Sequence, residues 1–381
     1  RIDGFQFCNF TLIMNQAATP IEFRSDTFTK PSEAMLQAMF SASVGDDVFG
    51  EDASVNALEQ SVAEFFGMEA GLFCPSGTMT NQIAIQVHTQ PGDEVICEAG
   101  SHVYYYEGGG IAKNAGAQVR LVQGSYGQIT AEQILPVINP DDVHRARTRL
   151  VSLENTCNRG GGSCYDLAEI AKIRSLCDAH GLGLHLDGAR LMNAIVAKQE
   201  DPKAYGKLFH SISLCLSKGL GAPVGSVLLG DASFIKQARR VRKVMGGGMR
   251  QAGYLAAAGL YAMQHNINRL AEDHAHAKQL ADALKQCSWV GEIFPVETNI
   301  VIFEVAGKRD FDSVGASAGD NHSGKESELG SGFQNAQEVV AKLLSHNIRV
   351  SAMSPTHIRL VTHLDVTPEM IQRTVEVLKG L

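Results

Sequence analysis

Residues 211–230 constrain this chain more than any other stretch. They read Ser-Ile-Ser-Leu-Cys-Leu-Ser-Lys-Gly-Leu-Gly-Ala-Pro-Val-Gly-Ser-Val-Leu-Leu-Gly. The apolar runs at 212–216 and 224–229 are short and bounded by Gly and Pro, the pattern of buried strands. Between them stands Ser217-Lys218-Gly219, a lysine at the mouth of a buried sheet among residues too small to crowd a ligand. Lysine is seldom buried without a partner. One reason for an exception is covalent chemistry: an apolar or cationic site lowers the amine pKa, and the neutral amine attacks a carbonyl. The plainer alternative is a surface lysine that opens a turn.

A second strand-like run, 182–187, ends in Asp187 ahead of Gly188-Ala189-Arg190. Ligands of open α/β sheets bind outside the carboxyl ends of the strands, so Asp187 and Lys218 are expected to share one crevice. A carboxylate that can pair with a pyridinium nitrogen, plus a lysine that can hold an aldehyde, is the protein half of pyridoxal-phosphate chemistry. Around these runs the chain alternates. Apolar strands are expected at 72–74, 94–97 and 149–153, and helices at 31–40, 54–66, 79–88, 167–179, 254–264 and 274–286. That is the βαβ pattern of a largely parallel sheet. Later strands are expected at 299–305, 348–351 and 358–361, with helices at 334–345 and 368–379. Residues 307–332 are rich in Gly, Ser and charge and read as a surface insertion.

The totals narrow the function. With 381 residues and 44% hydrophobic content the chain can bury a large core, and length suggests two to three domains. A net charge of −8 without a basic block excludes a nucleic-acid surface. No apolar run is long enough to span a bilayer, and 1–14 lacks the pattern of a signal peptide. The eight cysteines are scattered without a C-x-x-C pair, which argues against a disulfide framework and a zinc site. No metal is expected, and a reducing cytoplasm is the default compartment. The acidic cluster Asp46, Asp47, Glu51 and Asp52 reads as turn and helix caps.

Eight motifs in order resemble the threonine aldolase family of fold-type I pyridoxal-phosphate enzymes. They are Arg24-Ser25-Asp26-Thr27, the segment 45–52, Pro75-Ser76-Gly77-Thr78-Met79, Leu153-Glu154-Asn155-Thr156, His185-Leu186-Asp187-Gly188-Ala189-Arg190, Leu216-Ser217-Lys218-Gly219, the segment 246–251 and the segment 359–365. The resemblance implies an aspartate aminotransferase-like α/β fold. It comprises an N-terminal extension (1–17), an arm (18–50), a large cofactor domain with a mostly parallel seven-stranded sheet (51–271) and a small α+β domain (272–381). The arm is expected to pack with the small domain.

It also implies cleavage of β-hydroxy-α-amino acids, with threonine giving glycine and acetaldehyde, in a cytoplasmic homotetramer that supplies glycine. Such a dimer of dimers shares its active sites between subunits. Lys218 would hold the cofactor aldehyde and then act as an amine base. Asp187 would pair with the ring nitrogen, and His102 would stack on the ring. Ser76, Gly77 and Thr78 match the phosphate cup; taken alone they are an ordinary helix cap. Arg190 would meet the ring oxygen or the substrate, and Ser25 with Arg359 would grip the substrate carboxylate. Lys243 and Arg250 match a segment near the family's site, or are structural ion-pair partners. Glu107 falls in the stretch after His102. There Gly108–Gly110 would let backbone approach a ligand, or simply turn.

Two positions depart from the family. Cys157 stands where many members carry a histidine proposed to take the β-hydroxyl proton, and Phe49 stands where a tyrosine is usual. Cysteine is a poor base at neutral pH unless its pKa is lowered. The proton then goes to His102, the phosphate or water. An amino-acid racemase of the same family is the alternative, with Cys157 as acid on the second face. A non-catalytic protein on the same fold is the other.

Overall fold

Among the described residues there are thirteen strands: β1 (Ile21–Glu22), β2 (Ala70–Cys74), β3 (Glu94–Glu98), β4 (Gln118–Val122), β5 (Thr148–Glu154), β6 (Gly183–Gly188), β7 (Ser211–Cys215), β8 (Ser226–Gly230), β9 (Val290–Ile293), β10 (Ile300–Val305), β11 (Ile348–Arg349), β12 (Ser351–Ala352) and β13 (His357–Val361). The computed structural model describes residues 19–306 and 332–381. The N-terminal extension and nearly all of the insertion expected at 307–332 lie outside the described residues.

Seven strands make the main sheet, in the order β2-β8-β7-β6-β5-β3-β4. All neighbours are parallel except those of β8, which runs antiparallel to both β7 and β2. The connection over 216–225 is too short for a crossover helix, so the chain returns beside β7 in the opposite sense. Both faces are covered, as a mostly parallel sheet requires. One face packs Val55, Leu58 and Phe66 of the helix Ala53–Phe66 against Leu186, Ile212 and Leu229. The other packs Ile83 and Phe234 against Leu72 and Leu228.

The second sheet is antiparallel, in the order β12-β13-β10-β9. Its core joins Phe303 and Ile358 to Leu280, Val339 and Ile371 of three helices. Ile21 and Phe23 enter the same core, because β1 pairs in parallel with β11. This pairing divides the single strand expected at 348–351. Ile348 and Arg349 bond to the arm, while Ser351 and Ala352 bond to β13. A partner from the far end of the chain leaves no local trace in sequence.

Caps explain several boundaries. Ser76 Oγ accepts from Met79 N, so the expected helix begins at Gly77. Asp46 and Asp52 cap as expected. Asp47 does not: it is buried, 2.8 Å from Arg242. The strands β4 and β9 and the helices Leu191–Lys198, Pro202–Leu208 and Ala232–Val244 were not expected. β4 is an edge strand with mostly exposed positions, and Gln118 and Arg120 interrupt the apolar run that would reveal it. Among the described residues no helix is long and apolar enough to cross a membrane.

Candidate active site

Strand register builds the first half of the site. Glu154, Asp187 and Ser213 lie side by side at the carboxyl edge of β5, β6 and β7, and Lys218 follows the end of β7. Asp187 is buried. Its Oδ2 accepts from Asn81 Nδ2 at 2.9 Å and its Oδ1 from Ala189 N at 3.1 Å. Asn81 Nδ2 also donates to Glu107 Oε1 at 2.9 Å, and Gln82 Nε2 donates to Glu107 Oε2 at 2.6 Å. Glu107 Oε1 in turn lies 2.9 Å from His102 Nδ1. One amide therefore ties Asp187 to the carboxylate behind His102. From the other side, Glu154 Oε2 accepts from the His102 backbone at 2.7 Å.

Hydrogen-bond chemistry orients the layer behind. Asn81 Nδ2 faces two carboxylates, so Asn81 Oδ1 must accept, and the partner is His185 Nε2 at 3.1 Å. Burial holds His185 neutral, its pKa down to about 3. His185 Nδ1 meets Ser211 Oγ at 2.8 Å. Burial also pulls the His102 pKa down. The Glu107 hydrogen bond and the charges of Asp187, Glu107 and Glu154 more than offset this, and the net shift is upward. His102, Glu107 and Asp187 bring ligand-capable atoms within 4.8 Å of one another. With two amides already bonded to its carboxylates, we read this cluster as an anchor for a flat ring rather than an ion site. The glycines after Glu107 turn the chain: Gly108 and Gly109 have φ of +62° and +73°, and Gly110 packs against Gln82.

The second half is cationic. Arg190 gives Nε and Nη2 to Asp26, both at 2.7 Å, and the pair is buried. Burial works to raise the Asp26 pKa; Arg190, Lys218 and Asn299 outweigh it and bring it to about 2. The Lys218 charge thus reaches Asp26. Of the Arg190 nitrogens expected to meet cofactor or substrate, only Nη1 is left uncommitted by this pair. Arg359 donates from Nη1 to Asn158 Oδ1 at 2.7 Å and from Nη2 to the Arg24 carbonyl at 3.0 Å. Its Nε is buried with no partner, and among the described residues no carboxylate pairs with it. Ser25 stands at the same arm and accepts from Thr27 N and Thr27 Oγ1.

At the expected phosphate cup, Gly77 and Thr78 open the helix Gly77–His88 behind the Ser76 cap. Ser226 Oγ is buried without a partner and would lie 3.5 Å from a Cβ on Gly77. An orphaned hydroxyl beneath an open helix N-terminus suits a phosphate. With Lys218 and the Asp187 anchor, this donor set fits pyridoxal 5'-phosphate.

Other expected residues lie elsewhere. Cys157 is buried and its thiol donates to the carbonyls of Glu154 (3.1 Å) and Gly127 (3.3 Å); burial pushes its pKa well up. Arg250 pairs with Asp46 at 2.9 Å on the surface. Lys243 is exposed at the end of the helix Ala232–Val244, against Gly248. Among the described residues neither hydrogen-bonds to the cluster. Sequence reasoning missed Asp26, Asn81, Tyr106 and Arg159. Tyr106 tilts against His102 at 5.5 Å, and Arg159 Nη1 donates to Tyr106 Oη at 2.9 Å. Asp26, Asn158 and Arg159 sit inside or beside motifs already singled out, which is the only sequence signal they carry.

Residues 22–308 match the beta-eliminating lyase family. This chain belongs to that family. Membership makes the cofactor pyridoxal 5'-phosphate and the class of enzyme a lyase. The low specificity L-threonine aldolase of Escherichia coli (strain K12) is 39% identical, over 92% of this chain and 96% of its own. That of Saccharomyces cerevisiae is 43% identical, over 76% and 75%. Among solved structures, a threonine aldolase of Leishmania major superposes with a TM-score of 0.77 at 20% identity, covering 95% of this chain and 99% of its own. A likeness at that identity speaks for the fold.

Proposed function

We propose that this chain cleaves the Cα–Cβ bond of L-threonine, L-allo-threonine and related β-hydroxy-α-amino acids to glycine and an aldehyde. The observation that carries this reading is Arg359. It is a fixed guanidinium with an open buried donor, bordering a carboxylate anchor, in a chain whose relatives are L-threonine aldolases. Bound pyridoxal phosphate supplies a sink for the electron pair left on Cα.

The residues do the rest. Ser76, Gly77, Thr78 and Ser226 would hold the phosphate, and Asp187 would offer its carboxylate to the ring nitrogen. Arg359 takes the α-carboxylate with Ser25 beside it. That grip would fix the orientation of the bonds at Cα, and so which of them breaks. Asp26 keeps Arg190 aligned for its remaining contact. His102 has Nδ1 committed to Glu107, which leaves Nε2 to take the β-hydroxyl proton. Its raised pKa makes it a stronger base than free imidazole. Lys218 Nζ returns a proton to Cα. Cys157 has no place in this scheme. Its S–H is spent on backbone carbonyls within the core, which speaks against a second-face acid and so against a racemase.

A second copy of the chain completes the assembly in this reading. Phe49 is 74% and Val244 87% exposed, and Val48 packs on Gly248. These apolar tips sit beside Lys243 and Arg250, where a neighbouring subunit's site would begin. Seven described cysteines without a disulfide accord with a cytoplasmic enzyme, and glycine supply is the role we assign. Incubation of holoenzyme with L-threonine and, separately, L-alanine tests the reading. Acetaldehyde from the first is expected; D-alanine from the second without acetaldehyde would replace aldolase by racemase. Light scattering tests the assembly, with a monomer counting against it.

A further inference from the structure

Two guanidiniums near the substrate end of the site lack a carboxylate partner among the described residues. One is Arg359, which the α-carboxylate would satisfy. The other is Arg159, half-buried in the loop that follows β5. Asn158, which fixes Arg359, is its immediate neighbour in sequence. Arg159 stacks on the Tyr105 ring at 4.7 Å and donates to Tyr106 Oη, and Tyr106 lies against His102. Its aliphatic stem passes Gly100, at the carboxyl end of β3. The guanidinium thus stands on the His102 side, where the base meets the β-hydroxyl, while Arg359 stands at the α-carboxylate. Two acidic side chains line the cavity of about 600 Å³ beyond it, and both have other partners. Glu98 accepts from the amides of Gly100 and Gly124, and Glu292 from Tyr126 Oη. The Arg159 charge also adds to the downward pull on the Arg359 pKa, after burial and Arg190. Two cations held this way, one already matched to the α-carboxylate, leave a positive charge for the other end of the substrate.

We propose that Arg159, braced by Tyr105 and Tyr106, recognises an anionic β-substituent, so that the preferred substrates are β-hydroxy-α-amino acids with a second carboxylate. The proposal rests on the aldol-cleavage reading above and names the substrate class of that site. For 3-hydroxyaspartate the Cα–Cβ bond breaks and its electron pair stays with Cα, which takes up a proton to give glycine. The hydroxyl loses its proton to the base and becomes the aldehyde of glyoxylate. Atoms and electrons balance without a co-reactant.

The test compares kcat/KM of the holoenzyme on L-threo-3-hydroxyaspartate and L-threonine, in wild type, Arg159→Gln and Arg159→Lys. Wild type is expected to favour the dicarboxylate by about 10-fold or more, the worth of one charge-assisted contact. Arg159→Gln should lower kcat/KM on the dicarboxylate about 10- to 100-fold, chiefly through KM, and on threonine far less; Arg159→Lys should recover part of the loss. Equal losses on both substrates, or a wild-type preference for threonine, overturn the proposal and leave the aldolase reading intact. Failure to cleave either substrate removes the aldolase reading itself. A second measurement needs no variant. L-aspartate, which lacks the hydroxyl, should perturb the cofactor spectrum of wild type at lower concentration than L-2-aminobutyrate. The reverse order also overturns the proposal.

Discussion

Asp187 and Arg359 border one candidate site, yet their bonding differs. Each oxygen of Asp187 has a donor, and the donor Asn81 is itself fixed by Glu107 and His185. Arg359 has two nitrogens anchored and a third buried and open. A carboxylate oxygen has two lone pairs, so Asp187 can be fully anchored and still receive a ring N–H. An arginine N–H has one bond to give, so a site that must bind and release an anion keeps that donor free. The open donor costs stability, because a buried polar group without a partner is unfavourable by about 1–3 kcal/mol. In the proposed reading the ring side holds a permanent resident and the substrate side a visitor.

The largest expected effect breaks the comparison at its join. Lys218 follows β7 on the ring side and its charge reaches Asp26 on the other, and Lys218→Ala should cut turnover by at least about 10²–10⁴-fold, the range for losing a positioned proton carrier alone. The fold should survive, as circular dichroism would show; wild-type turnover would remove Lys218 from the site. Next, Arg359→Ala acts on the substrate side only. We expect KM to rise and kcat to fall, together about 10²-fold or more, because the grip sets both affinity and bond orientation. Cofactor affinity should stay near wild type. A large loss of cofactor binding would erase the distinction between the two sides.

Glu107→Gln sharpens the ring side. Glu107 helps hold the His102 pKa above the ordinary imidazole value of about 6.5, so its loss should move the His102 titration to lower pH. The sign for stability follows. A raised folded-state pKa contributes stability that is fully present below the unfolded value and is lost as pH rises through the folded one. That pH-dependent component should shrink in Glu107→Gln between about pH 6.5 and the raised folded value. NMR titration of His102 and urea unfolding across pH check it, and an unmoved titration would detach Glu107 from His102. The smallest effect is expected at Cys157, which belongs to neither side. Cys157→Ala should leave kcat/KM within about threefold and cost roughly 1 kcal/mol of stability, as a modest core deletion does. Loss of one face of Cα hydrogen exchange in D₂O would instead revive the racemase.

Sequence revealed the parts of this site that depend on local pattern. Asp187 and Lys218 are legible because apolar runs end at or just before them, and strand ends are where such sheets bind ligands. The helix start at Gly77 and the acidic caps at Asp46 and Asp52 follow from neighbours within three residues. The bracing was not legible. Asp26 meets Arg190 from 164 positions away, and Asn81 meets Asp187 from 106. Periodicity reports which face a residue takes, not which distant side chain it meets. The same limit hid the division of 348–351 and the Arg250 partner, Asp46, which lies 204 positions away.

The pairing of β1 with β11 also sets an order of events. Asp26 follows β1 closely, yet that strand has no partner until residues 348–349 have been made. During synthesis the main sheet, with Asp187 and Lys218 in place, can form first, while the buried Arg190 waits for its counter-charge. Contacts between distant parts of a chain form late, because closing the loop between them must come before the bond. Under the proposed function, competence for catalysis is therefore acquired last, when the arm docks and delivers Asp26 and Ser25 together. A chain interrupted before residue 348 would carry the lysine and the aspartate but lack Arg359 and a seat for the arm.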